Sequence, residues 1–134
     1  MGQEIKMSFK FSERSLNRMD GVDPRLQKVA LRAIEISRVD FGIPEHGGIR
    51  TAEEQNSLYK EGKSKADGYD KQSYHQTGKA LDVYAYINGS ASWEPEHLAM
   101  VAAAMLQAAA ELGYPVQWGG LWKSFQDMPH FQLP

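Results

Sequence analysis

Lys79-Ala80-Leu81-Asp82-Val83-Tyr84-Ala85-Tyr86-Ile87 is the stretch from which the fold can be read. Leu81, Val83, Ala85 and Ile87 fall on one face, and Ala80, Asp82, Tyr84 and Tyr86 on the other. A period of two is the pattern of a strand with one side on a core. Asp82 is out of place there, because aspartate is depleted in strands and a carboxylate among apolar neighbours needs a strong partner. Upstream, Ser73-Tyr74-His75-Gln76-Thr77-Gly78 sets a histidine seven positions before Asp82, and Gly78 permits a tight reversal between them. On spacing alone, metal ligation and a structural hydrogen bond account for this pair equally well.

Working outward, Asn88-Gly89 is a turn, and Ser92 is the expected cap of a helix running to about Leu112. Its stripe is Leu98, Val101, Ala102, Met105, Leu106, Ala109 and Leu112, and Gly113 and Pro115 end it. Pro115 to Trp118 reads as a strand, Gly119-Gly120 as a turn, and His130 to Leu133 as a last strand with Phe131 and Leu133 inward. Toward the N-terminus, Asp23-Pro24 opens a helix to about Arg38. Gly47-Gly48-Ile49-Arg50 reads as a short buried strand or its exit, and Thr51-Ala52-Glu53-Glu54 is a capping box that starts a helix with Leu58 and Tyr59 on its apolar side. Gly62 to Tyr74 is a long polar loop, and Met7 to Phe11 is a strand or an ordered arm. The expected class is α+β, a small antiparallel sheet flanked by helices.

Asp127-Met128-Pro129-His130 supplies a second histidine with a carboxylate three positions before it. Pro129 disfavours helix at Met128, so Asp127 is carried on extended or turned chain. Two imidazoles and one carboxylate are an incomplete tetrahedral set for Zn²⁺, with one position left for water. A separate carboxylate beside that position is what a metal-assisted hydrolase uses as general base.

The bulk properties narrow the choices. A chain of 134 residues and 15.1 kDa makes one domain. A net charge of −2 and a pI near 6.1 give no case for nucleic acid or for an anionic membrane. Without cysteine, disulfides, thiolate zinc sites and a cysteine nucleophile are excluded. No apolar run is long enough to span a membrane, and the first eleven residues lack the apolar core of a secretory signal.

Ser73-x-His75-x-x-Gly78-x-Ala80-x-Asp82 with Asp127-x-x-His130 resembles the signature of the zinc peptidases that cut peptidoglycan stem peptides. Gly48-Ile49-Arg50-Thr51, Glu54-Gln55, Leu58-Tyr59 and the Met7-Ser8-Phe9-Lys10-Phe11 start are similar to other blocks of that family, so the resemblance covers nearly the whole chain. It implies a zinc D,D-peptidase or Hedgehog-like fold, with His75, Asp82 and His130 as Zn²⁺ ligands and Asp127 as catalytic acid/base. It also implies Arg50 as the residue that holds substrate or the oxyanion, and Gln55 and Ser73 as weaker substrate-binding candidates. The substrate implied is the peptidoglycan stem peptide, cut as by an L-alanyl-D-glutamate endopeptidase of the phage endolysin type. A D-alanyl-D-alanine carboxypeptidase and a non-catalytic zinc-bearing wall-binding module are the alternatives. A monomer made in the host cytoplasm and released to the wall is expected, with residues 1–6 as an extension of a single peptidase domain. His46, Tyr84, Tyr86, Trp118 and Trp122 are lesser candidates for the cleft, each balanced by an ordinary packing or surface role, and His97 is expected at the surface.

Overall fold

The computed structural model describes residues 8–134; Met7 and the expected extension at residues 1–6 lie outside the described residues. Among the described residues the chain forms four α-helices and six short strands. The helices are α1 (Glu13–Arg18), α2 (Pro24–Ile36), α3 (Ala52–Lys60) and α4 (Pro95–Leu112). The strands are β1 (Asp40–Gly42), β2 (Ala80–Asp82), β3 (Tyr84–Ile87), β4 (Ser90–Ser92), β5 (Gln117–Trp118) and β6 (His130–Gln132). This is α+β, but with two antiparallel sheets where one was expected, ordered β1-β3-β4 and β2-β6-β5. The long alternating segment is divided at Val83: β2 pairs with β6 and β3 with β1 and β4. Leu81, Val83 and Ala85 are fully buried across the change of sheet, but Ala80 and Tyr84 of the opposite face are buried as well, so burial does not alternate.

The core lies between α2, α4 and the inner faces of the sheets. Leu26, Val29, Ala30, Ala33 and Ile34 of α2 meet Val101, Ala102, Met105, Ala108 and Ala109 of α4, with Phe41, Leu81, Val83 and Phe131 beneath them. Alanines on α4 let the two helices approach closely while each still removes its methyl from water. Leu112, assigned to this stripe by periodicity, is 40% exposed in the last turn.

Several expected boundaries move for local reasons. Ser92 belongs to β4 and does not cap α4: Glu94 precedes Pro95, whose ring disfavours helical geometry in the residue before it, so the helix starts at Pro95. The Ser92 hydroxyl instead accepts from the Glu94 amide and bonds the His97 ring at 2.7 Å, which ties His97 down. Gly47 to Arg50 forms a turn and not a strand, and residues 8–11 form no strand. On α3 the buried residue is Gln55, whereas Tyr59 is 46% exposed. Helix α1 and strand β1 were not foreseen, being too short for either period to register. The capping box at Thr51 and Glu54 and the Asp23 cap of α2 form as expected.

Candidate metal centre and cleft

The β2–β6 register makes Asp82 and His130 direct cross-strand partners, so their side chains leave the same face side by side. His75 comes from a 3₁₀ turn, Tyr74–Thr77, which Ser73 caps by accepting from the His75 amide. Gly78, at φ 74, ends that turn in the left-handed region and sends the chain into β2. The three side chains converge. Asp82 Oδ1 is 3.0 Å from His130 Nδ1 and 3.2 Å from His75 Nε2, and the two ring nitrogens are 3.3 Å apart.

What surrounds the imidazoles fixes which nitrogens carry protons. His75 Nδ1–H donates to the Gly48 carbonyl at 2.9 Å, and His130 Nε2–H donates to Gln132 Oε1 at 2.8 Å. Each ring therefore turns a bare lone pair inward, toward the Asp82 carboxylate. Three acceptors this close repel one another unless a cation or an extra ring proton lies among them. Metal bonds of ~2.0–2.1 Å in a tetrahedron put ligand atoms roughly 3.3 Å apart, close to the separations seen here. The donor set and its spacing thus fit a divalent ion, and nitrogen and carboxylate donors suit zinc among others.

Where extra ring protons take the place of an ion, both imidazoles are charged and donate to Asp82, which keeps that carboxylate ionised. Burial pushes its carboxyl up, but the charges and hydrogen bonds of His75 and His130 outweigh burial and hold it far below the ordinary carboxylate range. On His130, burial works downward, and the hydrogen bond and charge of Asp82 reverse it to a net rise.

The Gly47–Arg50 turn is the frame of the centre. Gly47 accepts from the Asp82 amide at 2.8 Å, Gly48 holds His75 as described, and the Arg50 amide donates to the His75 carbonyl at 3.2 Å. Gly48 must be glycine, since a Cβ there would lie 2.0 Å from the Arg18 carbonyl oxygen. The Arg50 side chain then closes the frame, with Nε on the His46 carbonyl at 2.7 Å, Nη1 on Gln55 Oε1 at 3.0 Å and Nη2 on Asp82 Oδ2 at 3.2 Å. Gln55, expected to face substrate, has no exposed surface: its oxygen accepts from Arg50, and its nitrogen donates to Ser64 Oγ and the Ala66 carbonyl. Ser73, expected likewise, spends its hydroxyl on the cap beneath His75.

Asp127 lies beside the three converging groups, with Oδ2 3.9 Å from His130 Nδ1, at the end of a loop that closes on itself through Asp127 N–H to the Gly119 carbonyl at 3.0 Å. Burial first, then the Asp82 carboxylate, pushes its carboxyl above the ordinary range. Trp122 packs at 5.3 Å, ring to ring, from His130. Trp118 packs half-buried against the core, stacked on Phe131 with its indole N–H on the Met128 carbonyl. Lys65 sits 4.5 Å over the Phe125 ring, joining the loop after α3 to the loop before Asp127. A cavity of about 370 Å³ opens beside Asp82 and Arg50, lined also by His46, Leu58, Lys63 and Trp93. His46 reaches it with its ring bonded to Glu54 at 3.1 Å. Lys63 belongs to the long polar loop, a common place for the rim of a site, whereas Trp93 carried no sequence signal of a cleft because its segment has no periodicity.

A sequence profile of the phage L-alanyl-D-glutamate peptidase family matches residues 7–132. The L-alanyl-D-glutamate peptidase of Escherichia phage T5 is 40% identical over 122 residues, covering 90% of this chain and 87% of that protein. The peptidoglycan L-alanyl-D-glutamate endopeptidase CwlK of Bacillus subtilis is 33% identical, covering 78% of this chain and 67% of its own length. The solved structure of the Serratia marcescens L-Ala D-Glu endopeptidase ChiX superposes with a TM-score of 0.81 at 39% identity, covering 91% of this chain and 87% of that one.

Proposed function

Because the chain belongs to the phage L-alanyl-D-glutamate peptidase family, we propose that it is a peptidoglycan endopeptidase that cuts the stem peptide between L-alanine and D-glutamate. The observation that carries the reading is the convergence of His75, Asp82 and His130 on one point, with a second carboxylate, that of Asp127, beside them. We assign His75 Nε2, Asp82 Oδ1 and His130 Nδ1 as the ligands of a divalent ion, with Zn²⁺ the one proposed. Bound there, such an ion supplies Lewis acidity toward a carbonyl oxygen and toward water. The antiparallel strands and this ligand set support assignment to the zinc D,D-peptidase and Hedgehog-like fold.

Asp127 is the general base in this reading. Its carboxyl, disfavoured as an anion by burial and by Asp82, takes a proton from the attacking water at Oδ2 and returns it to the D-glutamate amine as that amine leaves. Arg50 makes three hydrogen bonds to protein, leaving two of its five N–H groups for a carbonyl oxygen that gains charge. Gln55 positions Arg50, and Ser73 positions His75; neither needs to touch substrate.

Action as a monomer belongs to this proposal, with residues 8–134 as a single domain whose own side chains make up the metal set. No described helix is long and apolar enough to cross a membrane. Its similarity to the phage T5 peptidase supports synthesis in the host cytoplasm and action on the wall after release.

Digestion of purified peptidoglycan, with mass spectrometry of the fragments, tests the reading. The expected products are glycan still bearing L-alanine and peptides with a free D-glutamate amine, absent after chelation and restored by Zn²⁺. Loss of terminal D-alanine alone would replace the endopeptidase by a carboxypeptidase, and no cleavage at all would leave only wall binding.

A further inference from the structure

Trp93 lies in the link between β4 and α4 and lines the cavity shared with Arg50 and Asp82. One face of its indole is stacked on Tyr84, ring centroids 5.6 Å apart and planes 19° from parallel, yet 52% of the residue is exposed. Tyr84 is itself fixed, buried and hydrogen-bonded through its hydroxyl to Tyr86, whose hydroxyl also accepts from Arg14 at 2.9 Å. The indole is thus a platform held from behind with a face open to the cleft. An aromatic face kept in water but immobilised beside a reactive centre suits a ligand with its own flat, weakly polar face.

The scissile bond says what that ligand is. In the stem peptide only L-alanine separates this bond from the lactyl group of the amino sugar. One residue spans at most about 3.3–3.6 Å, so the sugar cannot be far from the reacting carbonyl. Trp122, the other aromatic near the centre, packs against the His130 ring. Trp93 has no described aromatic partner on its outer face.

We propose that Trp93 is a specificity residue that stacks on the N-acetylmuramoyl sugar, so that the enzyme recognises the glycan side of its substrate as well as the peptide. This inference rests on the endopeptidase reading above and goes beyond it in naming the sugar contact and the residue that makes it.

The test compares wild type, Trp93→Ala and Trp93→Phe on N-acetylmuramoyl-tetrapeptide and on the same tetrapeptide without sugar. Trp93→Ala should lose roughly five- to tenfold in kcat/KM on the sugar-bearing substrate, mainly through KM, and keep its rate on the bare peptide. Trp93→Phe, which retains a flat ring, should recover most of the loss. Equal losses on both substrates, or none on either, would overturn the sugar contact while leaving the endopeptidase intact. Cleavage of neither substrate by wild type at the L-Ala–D-Glu bond would remove the reading beneath it, and the contact with it. Should Trp93→Ala not fold, inhibition still decides. N-acetylmuramoyl-L-alanine should inhibit wild type more tightly than N-acetyl-L-alanine, with the gap narrowed in Trp93→Leu. Equal inhibition of wild type by the two compounds overturns the proposal.

Discussion

At Asp127, burial and a neighbouring carboxylate both oppose ionisation, which suits a group that must hold a proton briefly and works against stability. Its folded pKa lies above the unfolded value of about 3.9. The folded state therefore binds the proton more tightly, and the residue's contribution to stability falls as pH rises through that window. Asp127→Asn should bind metal, lose activity by about 10²–10⁴-fold, and in chelator at pH 7 melt no lower than wild type, the difference fading toward pH 4. Turnover retained in this variant would remove Asp127 from the reaction, and a clearly lower melting temperature would contradict the electrostatic account. Asp127 was legible in the sequence as a loop carboxylate before a strand histidine. Arg50 was legible as a side chain at a strand-to-helix junction and, through the family resemblance, as a substrate or oxyanion contact; its bonds to Asp82, Gln55 and His46 depend on a turn that composition could not draw.

Elements shorter than one period escape pattern reading, and this fold uses several. α2 could be read because its cap, proline and stripe agree, α3 from its capping box, and α4 from its apolar stripe and terminal Gly113 but not from its cap. The division of one alternating run into β2 and β3 could not, because alternation is the same whichever sheet a strand joins. The Gly47–Arg50 turn shows the reverse error, since four residues with two glycines and an isoleucine fit a buried strand equally well. That turn gives a sharp prediction. Gly48→Ala brings a methyl onto the Arg18 carbonyl, so the carbonyl that orients His75 must move. Metal affinity should fall by about 10–100-fold, the usual effect of losing such a support, and titration with a competing chelator measures it; unchanged affinity would show that His75 is oriented by something else. On α2, Asp23 accepts from the Arg25 amide and pairs with Arg25 and Lys79. These bonds, the Arg25 hydrogen bond foremost, hold its carboxyl far below the ordinary range. That stabilisation is complete above the unfolded value of about 3.9 and is lost as pH falls below it. Asp23→Ala should cost about 1 kcal/mol at pH 7, with a smaller difference from wild type in strong acid, read from denaturant melts at both pH values.

For the whole molecule, the centre is also a cross-link. Its ligands come from the turn before β2, from β2 and from β6, so an ion held among them would bind only the folded chain. At a free concentration a hundred times its Kd it should add about 2.7 kcal/mol, and chelation should lower the melting temperature by roughly 10 °C. A melt indifferent to chelator would mean that the three side chains hold no ion. The order β2-β6-β5 puts the last strand in the middle of its sheet. A growing polypeptide can complete its helices early but has nothing to lay between β2 and β5 until residues 130–132 emerge. The metal set is therefore completed only once residue 130 has been made, after every other described element of the fold.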